Sequence, residues 1–259
     1  MKIAAIQMDI ALGELDKNYA AAGRMIGEAA LRGADTIVLS ELWNTSFYPI
    51  NVMELADVDG IRTKSFLAEF AGKYGVNIVG GSVANCHDGA LYNTTFIVDR
   101  QGHTVASYDK AHLFSPSKEN DVFSAGSHVN LFMLDNIPMA SIICYDLRFC
   151  EWVRQAALAG AQMLFVPAAW PDRRVTHWQI LNRARAIENQ FYVTAVNSCG
   201  FAGDLRFGGH SMVINPWGDV LAEGGDGETI VMADVDFGTV QKIRESINVF
   251  KDRRSEIYK

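Results

Sequence analysis

The 259-residue chain lacks most of the signatures that announce a chemistry at first sight. It has no C-x-x-C, and its six histidines include no H-E-x-x-H, so nothing indicates a zinc ribbon, a thioredoxin-like centre or a zincin helix. G-x-S-x-G is absent too, and with it the local mark of a serine nucleophile elbow. Four cysteines (Cys86, Cys144, Cys150 and Cys199) are too few for a disulfide framework in a chain of this size. No apolar run approaches the ~20 residues of a membrane span. The opening MKIAAIQMDI is broken by Gln7 and Asp9, which makes it a first strand rather than a signal segment. Positive charge is also short: 23 Lys and Arg stand against 30 Asp and Glu, a net charge of -7. That balance argues against binding to nucleic acid or to an anionic membrane. No repeat, low-complexity segment or linker appears, and 49% of the residues are hydrophobic. The expectation is one cytoplasmic domain over residues 1–259 with a large core. Asn44-Thr45-Ser46 and Asn93-Thr94-Thr95 fit the glycosylation pattern, but without a secretory signal they read as chance matches.

What is present is a series of buried-looking strands that stop at polar residues. Residues 3–8 form the first, and Ala22, Met25, Ile26, Ala29 and Ala30 then mark a helix face closed by Gly33. Residues 35–40 form a second strand, which ends at Glu41; a carboxylate there must be paired or do something. A helix face from Thr63 to Tyr74 precedes a strand at 76–84, with Gly80-Gly81 inside it marking a bulge or a close backbone approach. Strands at 91–98 and 104–108 around a turn at 99–102 deliver Lys110. The polar stretch 115–130, which carries Glu119, is long enough to line a site. The run 139–143 stops at Cys144, and helical spacing resumes from Phe149 to Gly160. A further strand at 163–167 leads to Trp170, Arg173 and Arg174, and the spacing predicts a helix from an N-cap at Thr176 to about Glu188. Strands near 191–197, 210–214, 219–222 and 229–235 follow, with a hairpin turn at 215–218. Strands alternating with helices and then clustering as hairpins indicate an α/β fold with a mixed sheet.

Glu41, Lys110 and Cys144 each follow a strand, and strand exits are where α/β folds build sites. Acyl transfer with cleavage of a C–N bond needs a base, an oxyanion stabiliser and a nucleophile, and these three side chains could supply one each. Taken alone, Cys144 reads equally as a small buried hydrophobe.

The segments Ser40-Glu41-Leu42-Trp43, Tyr108-Asp109-Lys110-Ala111-His112-Leu113-Phe114 and Cys144-Tyr145-Asp146-Leu147-Arg148-Phe149 resolve that alternative. With Pro167–Pro171 and Ala184–Gln190, they make five motifs in order, and the chain resembles the nitrilase (carbon–nitrogen hydrolase) superfamily over essentially its full length. The resemblance implies a four-layer α-β-β-α sandwich, pairing into a homodimer or a higher homo-oligomer, and no metal or organic cofactor. It implies Glu41 as general base, Lys110 as stabiliser of the tetrahedral intermediate, Cys144 as nucleophile and Glu119 as a supporting carboxylate. The oxyanion would lie between Lys110 and the backbone N–H of Tyr145. Many relatives carry proline where this chain has Cys150, which is expected to be structural.

The Cys-Tyr-Asp-x-Arg-Phe form looks like the ω-amidase branch, implying a small carboxylate-bearing amide of the 2-oxoglutaramate or 2-oxosuccinamate type as substrate. Arg173 and Arg174 are candidate carboxylate ligands. Trp43, Tyr48, Phe114 and Trp170 are candidate pocket walls. The tail, about 245–259, is a candidate dimer surface. The rival readings are an amidase for deaminated glutathione or an N-carbamoyl compound and, outside hydrolases, a redox-regulated thiol binding protein.

Overall fold

The computed structural model describes residues 1–258; Lys259, the end of the charged tail, lies outside the described residues. The first half of the chain runs β1 (Lys2–Gln7), α1 (Leu15–Leu31), β2 (Thr36–Val38), α2 (Val52–Leu55), β3 (Asp57–Val58), α3 (Ile61–Tyr74), β4 (Asn77–Val79), β5 (Val83–His87), β6 (Ala90–Val98) and β7 (Thr104–Asp109). The second half runs β8 (Asn130–Leu134), β9 (Ile137–Ser141), α4 (Cys150–Leu158), β10 (Met163–Ala168), α5 (Val175–Asn189), β11 (Tyr192–Asn197), β12 (Phe201–Ala202), β13 (Leu205–Arg206), β14 (Met212–Ile214), β15 (Val220–Glu223), β16 (Thr229–Asp234) and α6 (Gly238–Ser246).

Two large sheets result. One has the order β16-β1-β2-β4-β6-β5-β3 with β7 on β6, and the other has the order β15-β14-β11-β10-β9-β8. The period-two alternation of side chains assigns each strand residue to a layer. Ile3 and Ala5 of β1 meet Phe132, Met163, Phe165 and Val196 between the sheets. Their neighbours Ala4 and Ile6 turn the other way, onto Met25, Ile26, Leu67 and Ala71 of α1 and α3. Leu164 and Val166 of β10 pack outward on Val153, Ala156 and Ala186 of α4 and α5. The layers are therefore helix, sheet, sheet, helix, the expected α-β-β-α sandwich. Late in the chain β16 crosses back to pair antiparallel with β1 from Lys2 to Gln7, which closes both sheets around one interior. Among the described residues no helix is long and apolar enough to cross a membrane.

Several boundaries differ from the sequence expectation, each for a local reason. The strand expected at 76–84 is two strands, because Gly80-Gly81-Ser82 leaves the ladder. Gly81 sits at φ +62°, and a Cβ there would lie 2.1 Å from the Ser40 carbonyl oxygen. The close approach lets Ser82 grip the Glu41 segment: Ser82 N–H donates to Ser40 O, and the N–H groups of Leu42 and Trp43 donate to Ser82 Oγ and O. Helix α5 begins at Val175 with Arg174 at its N-cap, not at Thr176, because the 3₁₀ turn Asp172–Arg174 already winds the chain into it. Cys144 does not pass directly into α4; it opens a separate 3₁₀ turn, Cys144–Arg148. Cys150 is exposed at the first position of α4, where proline is tolerated because its missing N–H would have no helical partner.

Candidate active site

The ends of several strands converge where the two sheets meet. Glu41 follows β2, Lys110 follows β7, Cys144 follows β9 and Ala169 follows β10. A backbone bond from Glu41 N–H to Ala168 O joins the exits of the two sheets. Lys110, Glu41 and Glu119 are fully buried. Lys110 Nζ donates to Glu41 Oε1 at 2.8 Å and to both oxygens of Glu119 at 2.9 Å. The second oxygen of Glu41, Oε2, accepts the Ala169 N–H at 2.8 Å. Glu119 reaches this depth because its own oxygen accepts the Phe114 N–H at 2.6 Å, which folds the 115–121 loop back over the lysine.

Burial acts against the Lys110 ammonium, but Glu119 and Glu41 together outweigh it and hold the group well above its ordinary pKa. Lys110 is a fixed cation. Burial first, and then the Glu41 charge, push the Cys144 thiol well above its ordinary value, against Lys110 and the Ala169 N–H, which pull it down. Burial and the Glu41 charge thus favour the thiol over the thiolate at Cys144.

Cys144 sits at φ +46°, a left-handed conformation that is strained for a side chain with a Cβ. The buried Asp146 stabilises this elbow. Its Oδ2 accepts the Ile143 N–H at 2.9 Å and the Tyr108 hydroxyl at 2.7 Å. Its Oδ1 accepts the His112 N–H at 2.9 Å and His112 Nδ1 at 2.8 Å. One carboxylate thereby ties the Cys144 turn to the segment that carries Lys110.

The thiol opens into a cavity of about 190 Å³ lined by Lys110, Phe114, Tyr145, Arg148, Trp170, Arg173 and Arg174, with Phe47 and Leu205 nearby. Arg148 lies over the Trp170 ring, 4.8 Å from its centroid, and Arg174 over the Phe114 ring at 5.1 Å. Among the described residues none of the three guanidinium groups has a carboxylate within 4.0 Å. Burial and then the charges of Arg173 and Arg148 press the Arg174 guanidinium below its ordinary value. An anion in the cavity would relieve that repulsion.

Two expected walls are elsewhere. Trp43 is fully buried on the far side of the first sheet, where its Nε1–H donates to Gly80 O and its ring packs on Tyr19 and Phe66. The cause is Leu42 at φ +47°, which turns the chain between Glu41 and Trp43. Tyr48 lies behind the cavity rather than in it; its ring packs on Phe47 and Phe123 and its hydroxyl donates to Ser117 O.

Sequence reasoning missed Arg148 as a cavity residue, Asp146 as the brace of the elbow, and Asn93. Asn93 is buried and donates to Glu41 Oε1 at 2.8 Å and Glu119 Oε1 at 3.2 Å. The hairpin register held the signal. Thr94 pairs with Asp109 and Thr95 with Tyr108, so one more step sets Asn93 opposite Lys110. Its burial, and that of Asn44, also removes both glycosylation matches.

The carbon-nitrogen hydrolase family matches residues 2–245. Over 256 residues the chain is 45% identical to 2-oxoglutaramate amidase of Bacillus subtilis (strain 168), covering 99% of this chain and 98% of that one. It is 35% identical to omega-amidase NIT2 of Homo sapiens, covering 99% and 96%. Among solved structures it aligns, at 27% identity and a TM-score of 0.85, with a mutant of the amidase from Nesterenkonia sp. AN1 that shows Michael addition of acrylamide at the active site cysteine. That match covers 96% of this chain and 98% of the other. With the α-β-β-α layers and the convergence of Glu41, Lys110 and Cys144, these matches establish that the chain belongs to the carbon–nitrogen hydrolase family.

Proposed function

We propose that this chain hydrolyses the amide of a small carboxylate-bearing substrate of the 2-oxoglutaramate or 2-oxosuccinamate type, releasing ammonia through a thioester on Cys144. The observation that carries the reading is the lining of the cavity, which divides between the Cys144 thiol with Lys110 and three arginines, Arg148, Arg173 and Arg174, whose guanidinium groups have no carboxylate partner among the described residues. A substrate with an amide at one terminus and a carboxylate at the other fits that division.

Cys144 attacks the amide carbonyl as its proton passes to Glu41. The carbonyl oxygen gains negative charge beside the Lys110 ammonium and the Tyr145 backbone N–H. Glu41 returns the proton to the leaving nitrogen, and ammonia departs. Glu41 then takes a proton from water as the water attacks the thioester, and the acid leaves with Cys144 restored as a thiol. Glu119 holds Lys110 through both of its oxygens, so the ammonium stays fixed while Glu41 changes charge. The similarity to 2-oxoglutaramate amidase and omega-amidase supports this substrate class. The four free thiols support a cytoplasmic location, which cell fractionation would overturn by finding the chain elsewhere.

The test is ammonia release from a substrate panel. 2-Oxoglutaramate is expected to exceed acetamide in kcat/KM by about 100-fold or more, one charge-assisted contact being worth ~1.5–3 kcal/mol and more than one being available. Brief exposure should leave an acyl adduct on Cys144 detectable by mass spectrometry, absent from Cys144→Ala. Equal rates across the panel would remove the carboxylate reading, and preference for an N-carbamoyl compound or for deaminated glutathione would redirect it.

A further inference from the structure

We infer that Asn93 is a positioning residue of this machinery: its amide fixes Glu41 and Glu119 around Lys110 and sets the oxygen of Glu41 that faces the thiol. The inference rests on the amidase reading above. Asn93 Nδ2 and Lys110 Nζ donate to the same two atoms, Glu41 Oε1 and Glu119 Oε1. An amide nitrogen carries two hydrogens, so both bonds can be made at once. The two carboxylate oxygens are thus bridged twice, once by a cation and once by a neutral dipole.

The orientation of the amide is dictated by this bridge. Asn93 Oδ1 is buried and has no hydrogen-bond partner. Turning the amide over would set Oδ1 against two carboxylate oxygens and leave them with Lys110 alone, which is worse than one orphaned acceptor. The backbone holds the residue in place as well, since Lys110 N–H donates to Asn93 O at 2.9 Å. Lys110 and Asn93 therefore move as one unit of the β6–β7 hairpin.

The functional consequence follows from charge. Glu41 and Glu119 with Lys110, all three buried, carry a net charge of about -1, and the sum becomes neutral when Glu41 takes the thiol proton. The donor at position 93 must hold Glu41 through both states without titrating itself. An amide does that, and it keeps Oε1 doubly bonded, by Asn93 and Lys110, so that Oε2, which accepts only the Ala169 N–H, is the oxygen left freer to take a proton. The charged groups facing position 93 are Glu41, Glu119 and Lys110, each from a different segment.

The experiment measures steady-state ammonia release from 2-oxoglutaramate by the full chain, with thermal melting of each variant. Asn93→Ala is expected to lower kcat by about tenfold or more while KM changes less than about threefold, because the arginine end of the cavity is untouched. Asn93→Asp keeps the shape and adds a third carboxylate; its activity should be low near neutral pH and recover as the pH falls and the acid form regains a donor. Thr95→Val, buried two residues along the same strand and without a bond to the cluster, should match the parent. A purely structural role predicts equal losses for Thr95→Val and Asn93→Ala, with no pH recovery in Asn93→Asp, and that pattern overturns the inference. So does Asn93→Ala at parental kcat. If Asn93→Ala fails to fold, the pH profile of Asn93→Asp decides. A parent chain that releases no ammonia would instead refute the amidase reading.

Discussion

Asp146→Asn separates bracing of the Cys144 turn from chemistry, because the hydrogen bonds of Asp146 go to Ile143, Tyr108 and His112 rather than to the thiol or the carboxylates. Asp146 accepts four hydrogen bonds with no exposed surface. The substitution keeps the volume and converts one oxygen to NH₂. If the NH₂ replaces Oδ2, the Ile143 N–H and the Tyr108 hydroxyl both face a donor. If it replaces Oδ1, His112 can shift its proton to Nε2 and accept through Nδ1, so only the His112 backbone N–H is orphaned. The second arrangement is the cheaper. One buried orphan donor costs about 1–3 kcal/mol, and loss of charge assistance on the remaining bonds adds about 1 kcal/mol. The expected destabilisation is therefore roughly 2–4 kcal/mol, or about 5–15 °C in melting temperature for a domain of this size. His112 stacks on Phe149 with centroids 3.8 Å apart, so its backbone cannot move to relieve the orphan without disturbing the start of α4. The Cys144 turn hangs from the same brace, and kcat/KM should fall about 10- to 100-fold. Calorimetry and ammonia release on one preparation read both quantities. A melting temperature within about 1 °C of the parent would show that Asp146 does not hold the elbow.

Two further outcomes test the walls and the backbone around the site. Arg174→Leu should raise KM for 2-oxoglutaramate by about tenfold or more while leaving kcat/KM for acetamide within about twofold, since a charge-assisted contact to a carboxylate is worth ~1.5–3 kcal/mol; an equal loss on both substrates would mean that Arg174 supports the loop rather than the substrate. Gly81→Ala should destabilise by at least about 2 kcal/mol in urea titration, because a left-handed φ alone costs a non-glycine residue ~1–2 kcal/mol and the new Cβ would meet the Ser40 carbonyl oxygen; an unchanged midpoint would show that the Gly81–Ser40 approach is not needed to hold Glu41.

The parts of the molecule legible in the sequence are those where hydrophobic periodicity ends abruptly. Strands buried on both faces read as apolar runs, and the polar residue that stops each run is displayed at a sheet edge; Glu41, Lys110 and Cys144 were visible for that reason. Residues that act from within an element carry no such mark. Asn93 lies inside β6 among Thr94, Thr95 and Phe96, and only the pairing register brings it to Lys110. Trp43 follows Glu41 by two residues, a spacing that in a strand would put both on one face. The left-handed Leu42 breaks that rule and sends the indole under the sheet. Left-handed positions at Leu42 and Cys144 have no sequence signature comparable to a glycine, because tertiary bonds, not propensity, hold them there.

The cavity follows from the same convergence. Arg148 sits in the turn that presents Cys144, and Arg173 and Arg174 sit in the turn after Trp170, so the nucleophile and the cations belong to adjacent strand exits of one sheet. The base and the fixed ammonium arrive from the other sheet. On the proposed reading, a substrate bound between them would bridge the two halves of the sandwich, with its amide turned to Lys110 and its acid group to the arginines. The Asp172–Arg174 turn can change its cations without disturbing Lys110, whose hydrogen-bond partners all lie in the first half of the chain, whereas Arg148 shares its turn with Cys144.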